Sequence, residues 1–257
     1  MSAAPQPIPN LAARLGCLFG VLLALGPMAA PAQLSPAAFQ AANKLYEEGK
    51  YADAAAAYEK LIQGGRASAA LYFNLGNAFF KSSQIGRAIA AYRQAERLTP
   101  RDPDVRANLQ FARNQVQGPT LPLGRWQRWL ARLSLDEWTV LAAAAAWLLF
   151  LLLALRQWRP ALKASLRTAV LAVDVAAVLL GACLAAALYQ ARSVHLVIVV
   201  KPEAVVRWGW LEGSKEAFTV HDGAELKLLD QNGQWLQVSA GPLRLGWLPR
   251  DQVVLER

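Results

Sequence analysis

The sequence predicts a multi-domain membrane protein with three parts: an all-α repeat domain, a two-helix transmembrane segment and a small all-β barrel. Small and aromatic residues recur at a fixed spacing between residues 36 and 113, two long apolar runs lie in the middle, and an extended, turn-punctuated pattern begins near residue 194. Apolar residues make up 55% of the 257 and charged residues 18%. These proportions argue against a wholly soluble protein and exclude a disordered one.

The N-terminus is typical of a secretory signal peptide over residues 1–32. Arg14 precedes an apolar run from Leu15 to Leu25, and Ala30-Pro-Ala32 has the small residues of a cleavage site. The run is short for a membrane span, which needs about 20 residues, so we prefer cleavage to an uncleaved anchor helix. Cleavage removes Cys17 and leaves Cys183 without an internal partner.

Residues 33–117 carry an internal repeat. Four pairs lie 34 residues apart: Ala42 and Gly76, Asn43 and Asn77, Ala54 and Ala88, Tyr58 and Tyr92. This helix–turn–helix period is that of the tetratricopeptide repeat, and the unit from Leu71 to Pro100 resembles that family almost throughout. The first unit departs from the pattern by having Ala42 where glycine is usual. We expect two hairpins and a closing helix at about residues 103–116.

Repeats of this kind bind proteins on a concave face made by the first helix of each hairpin. The residues expected to face this groove are Phe39, Asn43, Asn74, Asn77 and Arg106. Some family members clamp a terminal carboxylate there with Lys and Asn. Asn43 and Asn74 match the amide positions of that clamp, but Phe39 and Asp104 stand where its cations would be. Two interpretations of the asparagines remain open, namely ligand binding and hydrogen bonding within the helical stack.

Residues 118–137 are interpreted as a linker that ends in a short helix at the lipid surface. Trp126 and Trp129 recur there at helical spacing among arginines, as in interfacial helices. Ser134 and Glu137 have the spacing of a capping box, which predicts the start of a spanning helix.

Residues 138–155 and 168–189 are the two predicted transmembrane helices. The loop between them, residues 156–167, has four basic residues and no acid, so we expect it to be cytoplasmic. Trp138 and Trp158 are expected to mark the two interfaces of the first span. Asp174 is a charged residue within the second span, and we prefer a snorkelling or Arg167-paired role to an ion pathway.

Residues 194–257 predict a barrel of five short strands. The expected strands are residues 194–200, 217–220, 225–229, 235–238 and 246–248, with Gly-containing turns between several of them. Four segments together resemble a bacterial SH3-like domain: Ala204 to Arg207, Val220 to Gly223, Asn232 to Val238, and Gly246-Trp247. Trp235 and Trp247 are predicted to be core residues and His221 a solvated turn residue. Trp208 and Trp210 are either a ligand surface or part of the rim.

The order of these parts resembles the BatE-type family of the bacterial aerotolerance (Bat) operons. The best local support is Gly86 to Ile89, followed by Arg101 to Leu109. The resemblance implies a membrane-anchored adaptor whose partners are von Willebrand factor A-type membrane proteins and a MoxR-type ATPase system. It supplies no catalytic residues.

The leading functional hypothesis is a non-enzymatic inner-membrane scaffold with both soluble domains in the periplasm. The alternative is an envelope sensor whose SH3-like domain binds cell-wall glycan or peptide. A hydrolase is not predicted, because the sequence has no Gly-x-Ser-x-Gly motif, no metal-ligand cluster and no Cys–His pair in one soluble domain. No cofactor is expected. The net charge of +9 is interpreted as membrane orientation and lipid contact rather than nucleic-acid binding.

Overall fold

The computed structural model describes residues 36–119, 124–193, 196–211, 213–241 and 243–255, so the predicted signal peptide lies outside the described residues. It confirms the predicted fold class: helical hairpins, two long apolar helices and a small antiparallel β domain. The repeat region contains five helices, which are α1 (Pro36–Glu47), α2 (Tyr51–Gln63), α3 (Ala69–Lys81), α4 (Ile85–Leu98) and α5 (Pro103–Asn114).

Small residues allow the helices of the repeat region to approach closely. Ala54 and Ala88, which lie 34 positions apart, are fully buried. A Cβ atom added at Gly76 in α3 would lie 2.6 Å from the ring of Tyr92 in α4. Side-chain caps fix the starts of two of these helices: Ser68 caps α3, and Asp102, followed by Pro103, caps α5.

Two long helices follow a short one, α6 (Arg125–Leu130). They are α7 (Leu135–Trp158) and α8 (Arg167–Ser193), and both are long and apolar enough to cross a membrane. Both extend beyond the predicted apolar runs, because polar residues continue each helix past its apolar part. The predicted capping box begins α7: Glu137 N donates to Ser134 Oγ at 3.2 Å, and Ser134 N donates to the Glu137 carboxylate at 2.9 Å.

Trp138, which we expect to mark one interface of the first span, packs against other parts of the protein. Its side chain is buried beside Leu130 of α6 and Ala187 of α8. Its indole Nε1 donates to the Leu130 carbonyl at 3.0 Å, which satisfies the polar atom of the ring. Trp138 therefore holds α6 against the pair of long helices, whereas Trp158 at the other end of α7 is exposed.

The β domain has seven strands in its described residues, not the five that were predicted. They pair in the order β3-β2-β6-β5-β4-β1-β7 with antiparallel neighbours. Two of these strands were not predicted from the sequence: β2 (Glu203–Arg207) and β7 (Val253–Leu255). Strand β7 is only three residues long, and β2, which follows the bend at Lys201-Pro202, has no alternation of polar and apolar residues. The strands are β1 (Leu196–Val199), β2 (Glu203–Arg207), β3 (Glu216–His221), β4 (Glu225–Asn232), β5 (Trp235–Ser239), β6 (Leu245–Pro249) and β7 (Val253–Leu255).

The core of the β domain consists of aliphatic side chains from most of these strands. Leu226, Leu236 and Leu248 are fully buried, as the alternation within β4, β5 and β6 requires. Trp247 is buried as predicted, but Trp235 is only half-buried, because it lies at the β4–β5 turn. His221 is the exposed last residue of β3 rather than part of a turn.

Candidate protein-binding groove

The first feature of the groove is a hydrogen-bonded triad that joins the first two hairpins. Asn43 in α1 accepts two hydrogen bonds at its Oδ1 atom. Tyr58 Oη in α2 donates one at 2.7 Å, and Asn74 Nδ2 in α3 donates the other at 3.2 Å. The oxygen of the Asn43 carboxamide is therefore used within the stack, and its Nδ2 group is the polar end left for other contacts.

The same triad recurs one repeat later. Asn77 Oδ1 in α3 accepts from Tyr92 Oη in α4 at 2.7 Å and from Asn108 Nδ2 in α5 at 3.0 Å. Each member lies 34 residues after its counterpart in the first triad. The hydrogen bonding within the stack that we expected as one role of these asparagines is thus present in both repeats.

Burial raises the pKa values of both tyrosine hydroxyls, which are protonated at physiological pH even at the ordinary tyrosine pKa of 10. It raises the pKa of Tyr58 to about 12, and it raises the pKa of Tyr92 further. Both hydroxyls therefore remain hydrogen-bond donors at any physiological pH. The orientation of the asparagine side chains follows, since their oxygens must face these donors.

The groove itself is a shallow cavity of about 130 Å³ at the surface between α1, α2 and α3. Pockets for small-molecule ligands usually measure about 300 to 1,000 Å³, so this smaller cavity suits one side chain of a peptide rather than a small-molecule substrate. Glu47 is the charged residue of the lining, which differs from the cationic lining of a carboxylate clamp. The lining residues are Asn43, Tyr46, Glu47, Tyr58, Asn74 and Asn77.

Three of the five predicted groove residues, Asn43, Asn74 and Asn77, line this cavity. Phe39 lies next to it, with its ring centroid 6.1 Å from that of Tyr58. Phe73, one repeat later, has the same geometry against Tyr92. Arg106 is not brought into this cavity, because it lines a separate depression between α4 and α5.

Sequence reasoning missed Tyr46, Glu47 and Tyr58 as lining residues. A signal for Tyr58 was available, since an asparagine is followed by a tyrosine 15 positions later in both repeats. No comparable repeat marks Tyr46 or Glu47, because the residues 34 positions later are Phe80 and Lys81.

The predicted ligand surface of the β domain lies on the β2–β3 loop. Trp208 is 62% exposed and Trp210 is 50% exposed. Trp210 lies edge-on to the buried Trp247, with ring centroids 5.3 Å apart. Its position is thus set by the core, while one part of its ring remains accessible.

The described residues contain no group of three or more His, Cys, Asp or Glu side chains that could hold a metal ion. A family model described as "TPR repeat" matches residues 76–112, which include the last six residues of α3, all of α4 and most of α5. Repeats of this family are typically interaction modules, and no enzymatic family is indicated. The search of curated proteins finds no match to the chain.

Proposed function

We propose that this protein is a non-enzymatic adaptor of the bacterial inner membrane that binds partner proteins through its helical repeats. The observation that carries the proposal is the pair of Asn–Tyr–Asn triads beside the groove. Two repeats that orient the same carboxamide in the same way provide equally oriented N–H donors, which is an arrangement suited to the carbonyl groups of an extended peptide.

The expected occupant of the groove is a segment of a partner protein with an apolar or cationic side chain. Phe39 and the lining residues Tyr46 and Tyr58 supply apolar surface, and the carboxylate of Glu47 favours a positively charged group of the partner. In the Bat-type assignment the partners are von Willebrand factor A-type membrane proteins and a MoxR-type ATPase system, in an envelope-stress or aerotolerance complex.

We place both soluble regions in the periplasm. The predicted signal peptide and the four basic residues between the long helices support this orientation. The repeats would then meet periplasmic segments of the partners, while α7 and α8 hold the adaptor in the membrane.

Co-purification from crosslinked native membranes tests the adaptor proposal. We expect Asn43→Ala, Asn77→Ala and Phe39→Ala to lower the recovery of the Bat-type partners. Gln40→Ala, at an exposed position of α1, is the matched control. Circular dichroism of each purified variant establishes that the helices are retained. Unchanged recovery with folded Asn77→Ala and Phe39→Ala would refute groove binding.

A second candidate function is cell-wall recognition by the SH3-like domain. The exposed faces of Trp208 and Trp210 favour it, since aromatic rings of this kind bind glycan or peptide strands. Retention of the detergent-solubilised chain on purified peptidoglycan tests it. Trp208→Ala with Trp210→Ala should abolish retention, whereas Trp158→Ala, which removes an exposed tryptophan elsewhere, should not.

A further inference from the structure

The β domain contacts the repeat domain at the start of α4. The Gly86 amide donates to Asp222 Oδ1, in the turn between β3 and β4, at 3.1 Å. A Cβ atom at Gly86 would lie 2.0 Å from the Val199 carbonyl oxygen and 2.5 Å from Asp222 Oδ1. Only glycine therefore permits this approach between the helix and the barrel.

Apolar packing extends the contact. Ile198 of β1 is fully buried and belongs to the same apolar cluster as the repeat helices rather than to the barrel core. Gly223 has φ +84°, and a Cβ atom there would lie 2.5 Å from Val116 and 3.2 Å from Ile89. The turn thus places bare backbone against the repeat surface.

Glu225 bridges two helices of the repeat domain. This β4 residue is fully buried. Its Oε1 atom accepts from Arg113 Nε of α5 at 2.7 Å, and its Oε2 atom accepts from Arg93 Nη1 of α4 at 3.4 Å. One carboxylate from the barrel therefore joins the closing helix to the last hairpin.

We propose that the β domain is the C-terminal cap of the helical repeat and that Glu225 is the residue that fixes α5 against α4. Stacked repeats need a terminal unit with a suitable outer face, and about three repeats for stability. The described part of the chain contains two hairpins and one closing helix, and the surface that a further repeat would cover is covered by β1, the β3–β4 turn and Glu225.

The cap also positions the second triad of the groove. Arg93 directly follows Tyr92 in α4, and Arg113 lies on the same helix as Asn108. By holding α4 and α5 together, Glu225 maintains the distance between the two donors to Asn77. Glu225 is thus a positioning residue for the groove, and this role does not depend on which partner the groove binds.

Hydrogen exchange of the wild-type protein in lipid nanodiscs tests the contact without any substitution. The second amide of a helix normally lacks an intrahelical acceptor. Gly86 holds this position in α4, where its amide donates a hydrogen bond to Asp222. Ala70 holds it in α3, where the capping residue Ser68 accepts a hydrogen bond from the Leu71 amide instead. We expect a protection factor at Gly86 at least about tenfold above that at Ala70, because the partly buried hydrogen bond to Asp222 must open before the Gly86 amide can exchange. Equal protection would overturn the proposal.

Matched substitutions test the role of Glu225. We expect Glu225→Gln to speed exchange across residues 103–114 by about a hundredfold, because it leaves two arginines beside a buried neutral group. Glu216→Gln, at an exposed carboxylate of β3, should change it by less than about threefold. Wild-type exchange rates in α5 of Glu225→Gln would overturn the proposal. If Glu225→Gln loses protection from exchange in all of its helices, the variant is unfolded. The comparison of Gly86 with Ala70 in the wild-type protein then decides whether the β domain caps the repeat.

Discussion

Tyr92 shows how a single polar atom maintains the groove. Its hydroxyl is one of two donors to Asn77 Oδ1, and its ring fills the space beside Gly76. Tyr92→Phe retains the ring but leaves the carboxamide oxygen with one donor. We expect it to lower the free energy of unfolding of the repeat domain by about 1 kcal/mol. Denaturant titration followed by circular dichroism measures this. Tyr189→Phe, at an exposed position of α8, should not change the free energy of unfolding. Equal free energies of unfolding for the two variants would contradict the role of the Tyr92 hydroxyl in holding Asn77.

Asp222 gives the interface between the domains a pH dependence. Burial raises the pKa of its carboxyl group above the ordinary value of 3.8, although amides of residues 85, 86 and 223 and the charge of Arg87 oppose the shift. Between 3.8 and the raised value, the folded state holds more protons than the unfolded state. The stability contributed by Asp222 is therefore complete below this range and decreases as pH rises through it.

Asp222→Asn should remove this pH dependence, because the amide oxygen can still accept from Gly86 but carries no charge. We expect the free energy of unfolding of the variant to be at least equal to that of the wild type at pH 7. The difference between the two should shrink as pH falls towards 4. Urea titrations at several pH values, with the exposed Asp230→Asn as control, measure the difference. If the stability difference in favour of Asp222→Asn grows as pH falls, the pKa of Asp222 is not raised in the folded state.

Glu225 illustrates which residues sequence reasoning could not identify. In β4, Leu226 lies in the core of the β domain, and the side chain of Glu225 lies on the opposite face of the sheet. A charged residue on the outer face of a strand predicts solvent exposure. Here Arg113 and Arg93, which lie 112 and 132 positions earlier in the chain, cover this face. Contacts between residues so far apart leave no local pattern in the sequence. The asparagines of the groove, in contrast, were found because they repeat.

At the scale of elements, periodic segments were predicted well and short irregular ones were not. The helices of the repeats follow from spacings that several residues share, and the family model matches the region of α3 to α5. Strand β7 has only three residues, and β2 has three consecutive apolar residues between two charged ones, so neither shows a polar–apolar alternation in the sequence. Both are held by pairing with neighbouring strands. The burial of Trp138 depends on α6 and α8, so its local sequence resembles that of an interfacial residue.

The approach of α3 to α4 gives a prediction for Gly76. In an isolated helix, Gly→Ala would stabilise by about 1 kcal/mol through helix propensity. In this pair of helices the added Cβ would lie 2.6 Å from the ring of Tyr92, and such overpacking costs about 1 to 3 kcal/mol. We therefore expect Gly76→Ala to destabilise the repeat domain, as measured by thermal unfolding. Gly64→Ala, whose Cβ would be 3.4 Å from the Leu61 carbonyl, should be close to neutral, and a stabilised Gly76→Ala would exclude close packing.

For the whole molecule, contacts between its parts determine where the repeat domain and the β domain lie relative to the two long helices. The repeat domain contacts the start of α7, where Arg101 donates to the carboxylate of Glu137. The β domain begins shortly after the end of α8 and packs on α4 and α5. Both soluble regions therefore meet at one end of the α7–α8 pair, and the basic loop between these helices lies at the other end.

Fusion of topology reporters tests this arrangement in the cell. A reporter that is active only in the periplasm should be active at residues 120 and 257 and inactive at residue 162, because four basic residues near position 162 favour the cytoplasmic side. Replacing Arg156, Arg159, Lys163 and Arg167 with glutamine should weaken this preference and lower the difference between the fusions. The matched control replaces Arg125, Arg128 and Arg132, which flank the other end of α7 and should leave the orientation unchanged. Reporter activity at 162 but not at 120 would reverse the proposed orientation, and opposite results at 120 and 257 would be incompatible with the contact between the two domains.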